Sequence, residues 1–122
     1  MNKWEYFTNQ EVEGLEEHFV EKLEKARKLA GISFIITSGY RSPEKNQSLI
    51  GAVPDSAHTK GLAVDLKVNS SRQVSLICDA AKAVGIDRRG IYVNEEMEPI
   101  HVHLDDDKDK IRDVLFVKKE KN

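Results

Sequence analysis

The stretch from Ser56 to Asp65, S-A-H-T-K-G-L-A-V-D, holds a histidine and an aspartate seven residues apart. His58 falls in a Gly- and polar-rich loop, and Asp65 sits inside L-A-V-D-L-K-V, which reads as a buried strand near 62–68. A loop imidazole and a strand carboxylate aimed at one spot can hold a borderline metal such as zinc. Two donors do not complete such a site, and His101-Val102-His103 offers the third. Alternate residues of a strand share a face, so His101, His103 and Asp105 point one way while Val102 and Leu104 point into the core. Each group also has a plainer reading. His101 and His103 can be hydrogen-bonded histidines beside an acidic turn, His58 a loop histidine, and Asp65 a paired strand carboxylate. Three of the four histidines falling in two such settings favours a metal. The fourth, His18, lies among glutamates of the first helix and is expected to be solvated.

The elements that must position these residues follow in order. Thr8-Asn9-Gln10-Glu11 has the form of a capping box, with Phe7 and Val12 as its hydrophobic staple. Val12, Leu15, Phe19, Leu23, Ala26 and Ala30 then keep helical spacing to a C-cap at Gly31, which predicts a helix over about 9–30. Residues 32–37 (I-S-F-I-I-T) read as a buried strand running into the loop Ser38-Gly39-Tyr40-Arg41-Ser42-Pro43. Ser42 and Pro43 predict the N-cap and first turn of a short helix through about Leu49, followed by an irregular loop from Gly51 to Thr59. Ser70 and Gln73 form a second capping box. Val74, Ile77, Cys78, Ala81 and Val84 give a second helix closed by Gly85. Strands are expected at 89–93 and 100–104, joined by the acidic loop 94–99, with an edge strand at 114–117 before a charged tail. This order implies an α+β fold, a mainly antiparallel sheet with helices packed on one face.

Composition narrows the function classes. With 122 residues there is room for one domain, 1–122, and one modest core. A net charge of −2 gives no general attraction to nucleic acid or to an anionic membrane surface. No run approaches the roughly 18–20 apolar residues of a membrane helix. The N-terminus lacks an apolar signal core, so the expected location is cytoplasmic as synthesised. Cys78, the sole cysteine, excludes an internal disulfide and fits a reducing compartment. On its apolar stripe it reads as a core residue. Asp105-Asp106-Asp107 with Asp109 lacks the glycine and terminal glutamate of an EF-hand loop, so it reads as a solvated turn.

Ser56-x-His58-x-x-Gly61-x-Ala63-x-Asp65, followed by His101-x-His103, resembles the zinc D-alanyl-D-alanine carboxypeptidase family. That family includes peptidoglycan carboxypeptidases, D,D-dipeptidases and phage endolysins, and its fold is shared with the Hedgehog signalling domain. Ser38-Gly39-Tyr40-Arg41-Ser42, with the following Pro-Glu and Asn46, is similar to the family's substrate-side arginine motif. The resemblance runs over roughly residues 7–105. It implies one zinc ion per chain held by His58, Asp65 and His103, with a fourth position open to water. Many members carry a glutamate base three residues before the last histidine, where this chain has Ile100. His101, on the strand face of His103, is then the first candidate for the base and Glu98 the second. Arg41 is implied as the group facing a substrate carboxylate or the oxyanion, with the plainer alternative of a turn arginine. Ser56 and Tyr40 are candidates for hydrogen bonds to substrate, and a capping role for Ser56 stays open. Gly61 and Ala63 read as small residues that let loop and strand approach the metal.

The implied function is a zinc metallopeptidase acting on peptidoglycan stem peptides or a D-Ala-terminated peptide, as a carboxypeptidase or an endolysin-type endopeptidase. A monomer suffices for it. The departure at Ile100 keeps open a non-catalytic zinc-containing module that binds peptide or cell wall. A component of a phage or cell-wall assembly is a third reading, although Lys118-Lys119-Glu120-Lys121-Asn122 is too short for a targeting repeat. For an enzyme of this kind with no apolar signal core, the expectation is either phage-type release to the cell wall or action in the cytoplasm as a D,D-dipeptidase.

Overall fold

Apolar residues at helical spacing, Phe19, Leu23, Ala26 and Ala30, become the buried stripe of the first helix, α1 (Glu17–Ala30). A computed structural model describes residues 3–48 and 55–120. The helix begins eight residues later than the sequence predicts. The Thr8–Glu11 box does form, with Thr8 N–H donating to Glu11 at 2.8 Å and Glu11 N–H to Thr8 Oγ1 at 3.1 Å. It closes a turn rather than a helix, because Gly14 adopts φ +83° against the Tyr40 ring. The staple residues Phe7 and Val12 are nevertheless buried in the core.

The remaining elements are β1 (Ile36–Ser38), α2 (Pro43–Gln47), a 3-10 turn (Ala57–Lys60), β2 (Ala63–Lys67), α3 (Ser71–Ala83), β3 (Arg88–Val93), β4 (Pro99–Asp105) and β5 (Val114–Lys119). Ser42 caps α2 by accepting from Lys45 N–H at 3.2 Å, with Pro43 at the first position. The helix end expected near Leu49, and most of the loop before Asp55, lie outside the described residues. Ser70 caps α3 by accepting from Gln73 N–H, while the Gln73 side chain takes the Asn69 N–H.

The strands make one sheet in the order β1-β2-β4-β3-β5. All pairings are antiparallel except β3 with β5, which run parallel. The strand expected as buried at 32–37 is instead a three-residue edge strand. Its flanks alternate, with Phe34 buried and Ile35 exposed, because only one face meets the core. Val64 and Leu66 of β2, with Val102 and Leu104 of β4, are fully buried in one cluster with Phe19 and Leu23 of α1 and Ile77 and Ala81 of α3. By alternation Asp65, His101, His103, Gly90, Tyr92 and Phe116 share the opposite face. Cys78 is a buried core residue as expected, and burial pushes its thiol pKa up.

Asp105, Asp106 and Asp107 are not a solvated turn. Each is 1% exposed, and each is met by cations. Asp105 takes Arg88 at 2.8 Å; Asp106 takes Lys22 at 2.7 Å and Arg112 at 3.0 Å; Asp107 takes Lys60 at 2.8 Å and Lys110 at 3.4 Å. Buried carboxylates persist only with such partners. These pairs fix the crossing from the end of β4 to the start of β5. His18, half exposed on α1, lies 3.9 Å from Asp106.

Candidate metal centre

His58 lies in the 3-10 turn rather than in an irregular loop. Ser56 caps that turn by accepting from His58 N–H at 3.2 Å, and Gly61 ends it at φ +72°. The glycine is required by the N-terminal segment, not by the metal position: a Cβ there would stand 2.5 Å from the Gly14 carbonyl oxygen. Gly61 also accepts from Glu16 N–H at 2.9 Å, which ties the turn to the start of α1. The His58 side chain is buried. Its Nδ1 lies 2.7 Å from the Gly39 carbonyl oxygen, which turns Nε2 toward Asp65 Oδ2 at 3.4 Å.

Asp65 and His103 are cross-strand partners on β2 and β4, with Asp65 Oδ1 3.0 Å from His103 Nδ1. The other nitrogen of His103, Nε2, donates to Asp105 Oδ2 at 2.7 Å. One donor atom from each of His58, Asp65 and His103 lies within 4.8 Å of the others. Two imidazoles and one carboxylate suit zinc, and both rings have their second nitrogen fixed by an acceptor, as metal-binding histidines usually do. The donor set therefore fits a metal ion. Burial pushes the Asp65 carboxyl up, but hydrogen bonds from His103 and His58 outweigh it and hold that carboxyl well below the usual range. Burial lowers His103, yet its bonds to Asp105 and Asp65 prevail and raise it to about 9. The Asp105 carboxyl is likewise held low, chiefly by His103 acting against burial.

A family model described as Peptidase M15 matches residues 3–105. The chain belongs to the peptidase M15 family. No curated protein matches it. The family is one of zinc D-Ala-D-Ala carboxypeptidases, and its metallopeptidase character agrees with a His-Asp-His donor set. No helix among the described residues is long and apolar enough to cross a membrane.

The other sequence-derived M15 candidates divide. Arg41 sits beside the turn: its N–H donates to the His58 carbonyl at 3.1 Å and its guanidinium reaches Ser56 Oγ at 3.4 Å. Its Nε is buried and makes no hydrogen bond among the described residues. Ser56 thus combines the capping role with contact to Arg41. Tyr40 is exposed, and its ring covers Gly14. His101 shares the face of His103, stacks on Tyr92 with centroids 4.4 Å apart, and has Nδ1 3.4 Å from Glu120 Oε2. Glu98 is exposed in the β3–β4 turn, where its carboxylate accepts from the Asn94 side chain at 3.1 Å. Ile100 falls at the irregularity in β3–β4 pairing opposite Tyr92 and Val93.

Four neighbours escaped the sequence reading: the Gly39 carbonyl, Tyr92, Phe116 and Glu120. Burial raises the Tyr92 hydroxyl pKa, and the Asp65 charge raises it further, so this side chain feels the centre. The alternation of R-G-I-Y-V already puts Tyr92 on one face with Gly90. Which strand lies beside that face is a matter of register, which spacing does not reveal.

Proposed function

We propose that this chain is a zinc metallopeptidase that hydrolyses peptide bonds in peptidoglycan stem peptides, as a D-Ala-D-Ala carboxypeptidase or an endolysin-type endopeptidase. The carrying observation is the clustering of His58, Asp65 and His103 on a chain of the M15 family, with each imidazole oriented through its other nitrogen. Zinc held there lowers the pKa of a water to about 7 and polarises a carbonyl.

The chain's own residues supply the rest. Gly39 and Asp105 fix the two rings so that Nε2 of His58 and Nδ1 of His103 are presented. His101 accepts the proton removed from the attacking water, its ring held by Tyr92 on one side and Glu120 at Nδ1. We favour it over Glu98, whose carboxylate is engaged in the hairpin turn. Arg41, braced by Ser56, receives the substrate's C-terminal carboxylate or the developing oxyanion. On this reading the exposed Tyr40 adds a hydrogen bond to the substrate backbone. The chain works as a monomer on D-Ala-terminated or stem peptides, with the cell wall as its site of action.

Purified muropeptides incubated with the zinc-loaded protein and analysed by mass spectrometry test this. Loss of a terminal alanine marks a carboxypeptidase, and paired fragments mark an endopeptidase. Unchanged masses with folded, zinc-loaded protein overturn the enzyme reading. Because Ile100 stands in place of the familiar glutamate, the competing reading is a module that binds the same peptides without cutting. Retention of muropeptides without new fragments would select it.

A further inference from the structure

The last strand, β5, lies beyond the residues that the family model matches, yet it brings a side chain to the centre. Gly90 pairs with His103 on one side and with Phe116 on the other, so the three form one row across the sheet. Gly90 has no side chain to fill its place in that row. Phe116 fills it: a Cβ on Gly90 would fall 2.3 Å from the ring's Cζ. The ring therefore lies across β3 toward His103, with centroids 6.1 Å apart. In the next row Tyr92 meets Phe116 edge-on at 6.2 Å. An aromatic corner thus borders the donor set on the β3–β5 side, while Arg41 and Ser56 accompany His58 on the turn. Polar groups on the turn suit a carboxylate or peptide backbone, and an apolar corner suits a side chain.

We propose that Phe116 is a specificity-determining residue, limiting the substrate side chain next to the scissile bond to a small apolar group. This rests on the peptidase reading above. A rigid ring beside the reacting position rejects a larger side chain sterically, and shortening it relieves the rejection. Asp106 and Asp107, through their buried ion pairs, anchor the crossing that delivers the strand.

The test uses two synthetic peptides identical except for D-Ala or D-Leu after the scissile bond. Zinc-loaded wild type, Phe116→Ala and Phe116→Leu are compared by the ratio of kcat/KM values. Phe116→Ala is expected to reduce the preference for D-Ala by about 10-fold, and Phe116→Leu by less in the same direction. If Phe116→Ala does not fold, the leucine variant decides. A folded variant with the wild-type ratio overturns the proposal. If wild type cleaves neither peptide, the muropeptide digest above decides the peptidase reading separately, and equilibrium binding of the same two peptides then judges the wall. Lost discrimination in the variants supports it; discrimination equal to wild type overturns it.

Discussion

Asp65 and His103 face each other across the β2–β4 ladder with Oδ1 3.0 Å from Nδ1, while His103 Nε2 is committed to Asp105 at 2.7 Å. Without a metal, an imidazolium bridging two carboxylates is the stable arrangement. A metal ion at Nδ1 takes the place of a proton.

That substitution has a pH signature. His103 titrates at about 9 in the folded chain, against an ordinary 6.5, so it is charged at pH 7. Zinc binding at pH 7 is expected to release about one proton, measurable by calorimetry in buffers of different ionisation enthalpy. Release of none would count against Nδ1 as a donor. A raised pKa contributes stability that is complete below 6.5 and is lost as pH rises through about 9. Thermal melts of the metal-free protein should therefore weaken across that window, and those of the zinc-loaded protein should not show this loss.

Asp105 orients His103 through Nε2 and is itself held by Arg88 at 2.8 Å. Asp105→Asn keeps the shape and removes the charge. A fall in zinc affinity of about 10–100-fold is expected, by chelator competition. Unchanged affinity would mean that the imidazole is oriented by the sheet alone.

The donors themselves could be read from residue types, because a turn histidine, a strand aspartate and alternate strand histidines each have a local pattern. β4 proved to be the central strand, which is why His103 can meet both Asp65 and Gly90. What the pattern could not supply was long-range. Gly14, at φ +83°, lies in the turn that precedes the first helix, and Tyr40 fills the space a side chain there would need. The Asp105–Asp107 run looks solvated until Lys22 and Lys60 are brought to it from distant positions. Glu120, within a stretch that reads as tail, sits beside His101 because β5 runs parallel to β3 as far as Lys119.

His101 and Glu98 can be separated by single substitutions. His101→Ala is expected to lower turnover by about 10²–10⁴-fold while zinc content stays near one per chain. Glu98→Ala should change turnover little, since its carboxylate serves the hairpin turn. Loss of zinc from His101→Ala would make that residue a ligand, and a large loss in Glu98→Ala would transfer the base to the turn.

Asp106 has a fully buried carboxylate between Lys22 and Arg112. Asp106→Ala leaves Lys22 and Arg112 without their shared partner, although both reach solvent and Arg112 keeps Asp87, so a loss of about 1–3 kcal/mol is expected in urea denaturation. Burial raises this carboxyl, but the two cations outweigh it, for a net depression. Its stabilising contribution is thus present above the ordinary carboxylate value and is lost as pH falls below it. Wild type should lose stability more steeply on acidification than Asp106→Ala does, and parallel acid profiles would remove Asp106 as an anchor.

Gly61 and Gly31 have nearly the same backbone, φ +72° and +71°, in different surroundings. A Cβ on Gly31 meets nothing within 4 Å, so Gly31→Ala costs only the left-handed strain, about 1 kcal/mol. A Cβ on Gly61 meets the Gly14 carbonyl oxygen at 2.5 Å and Glu16 N at 3.2 Å, both backbone atoms that cannot swing aside. Gly61→Ala must therefore cost more, about 2–4 kcal/mol including the strain. Because Gly61 ends the turn that carries His58, the same substitution should also weaken zinc binding, whereas Gly31→Ala should not. Equal effects of the two on denaturation and on zinc affinity would show that the contact with Gly14 does not hold the turn.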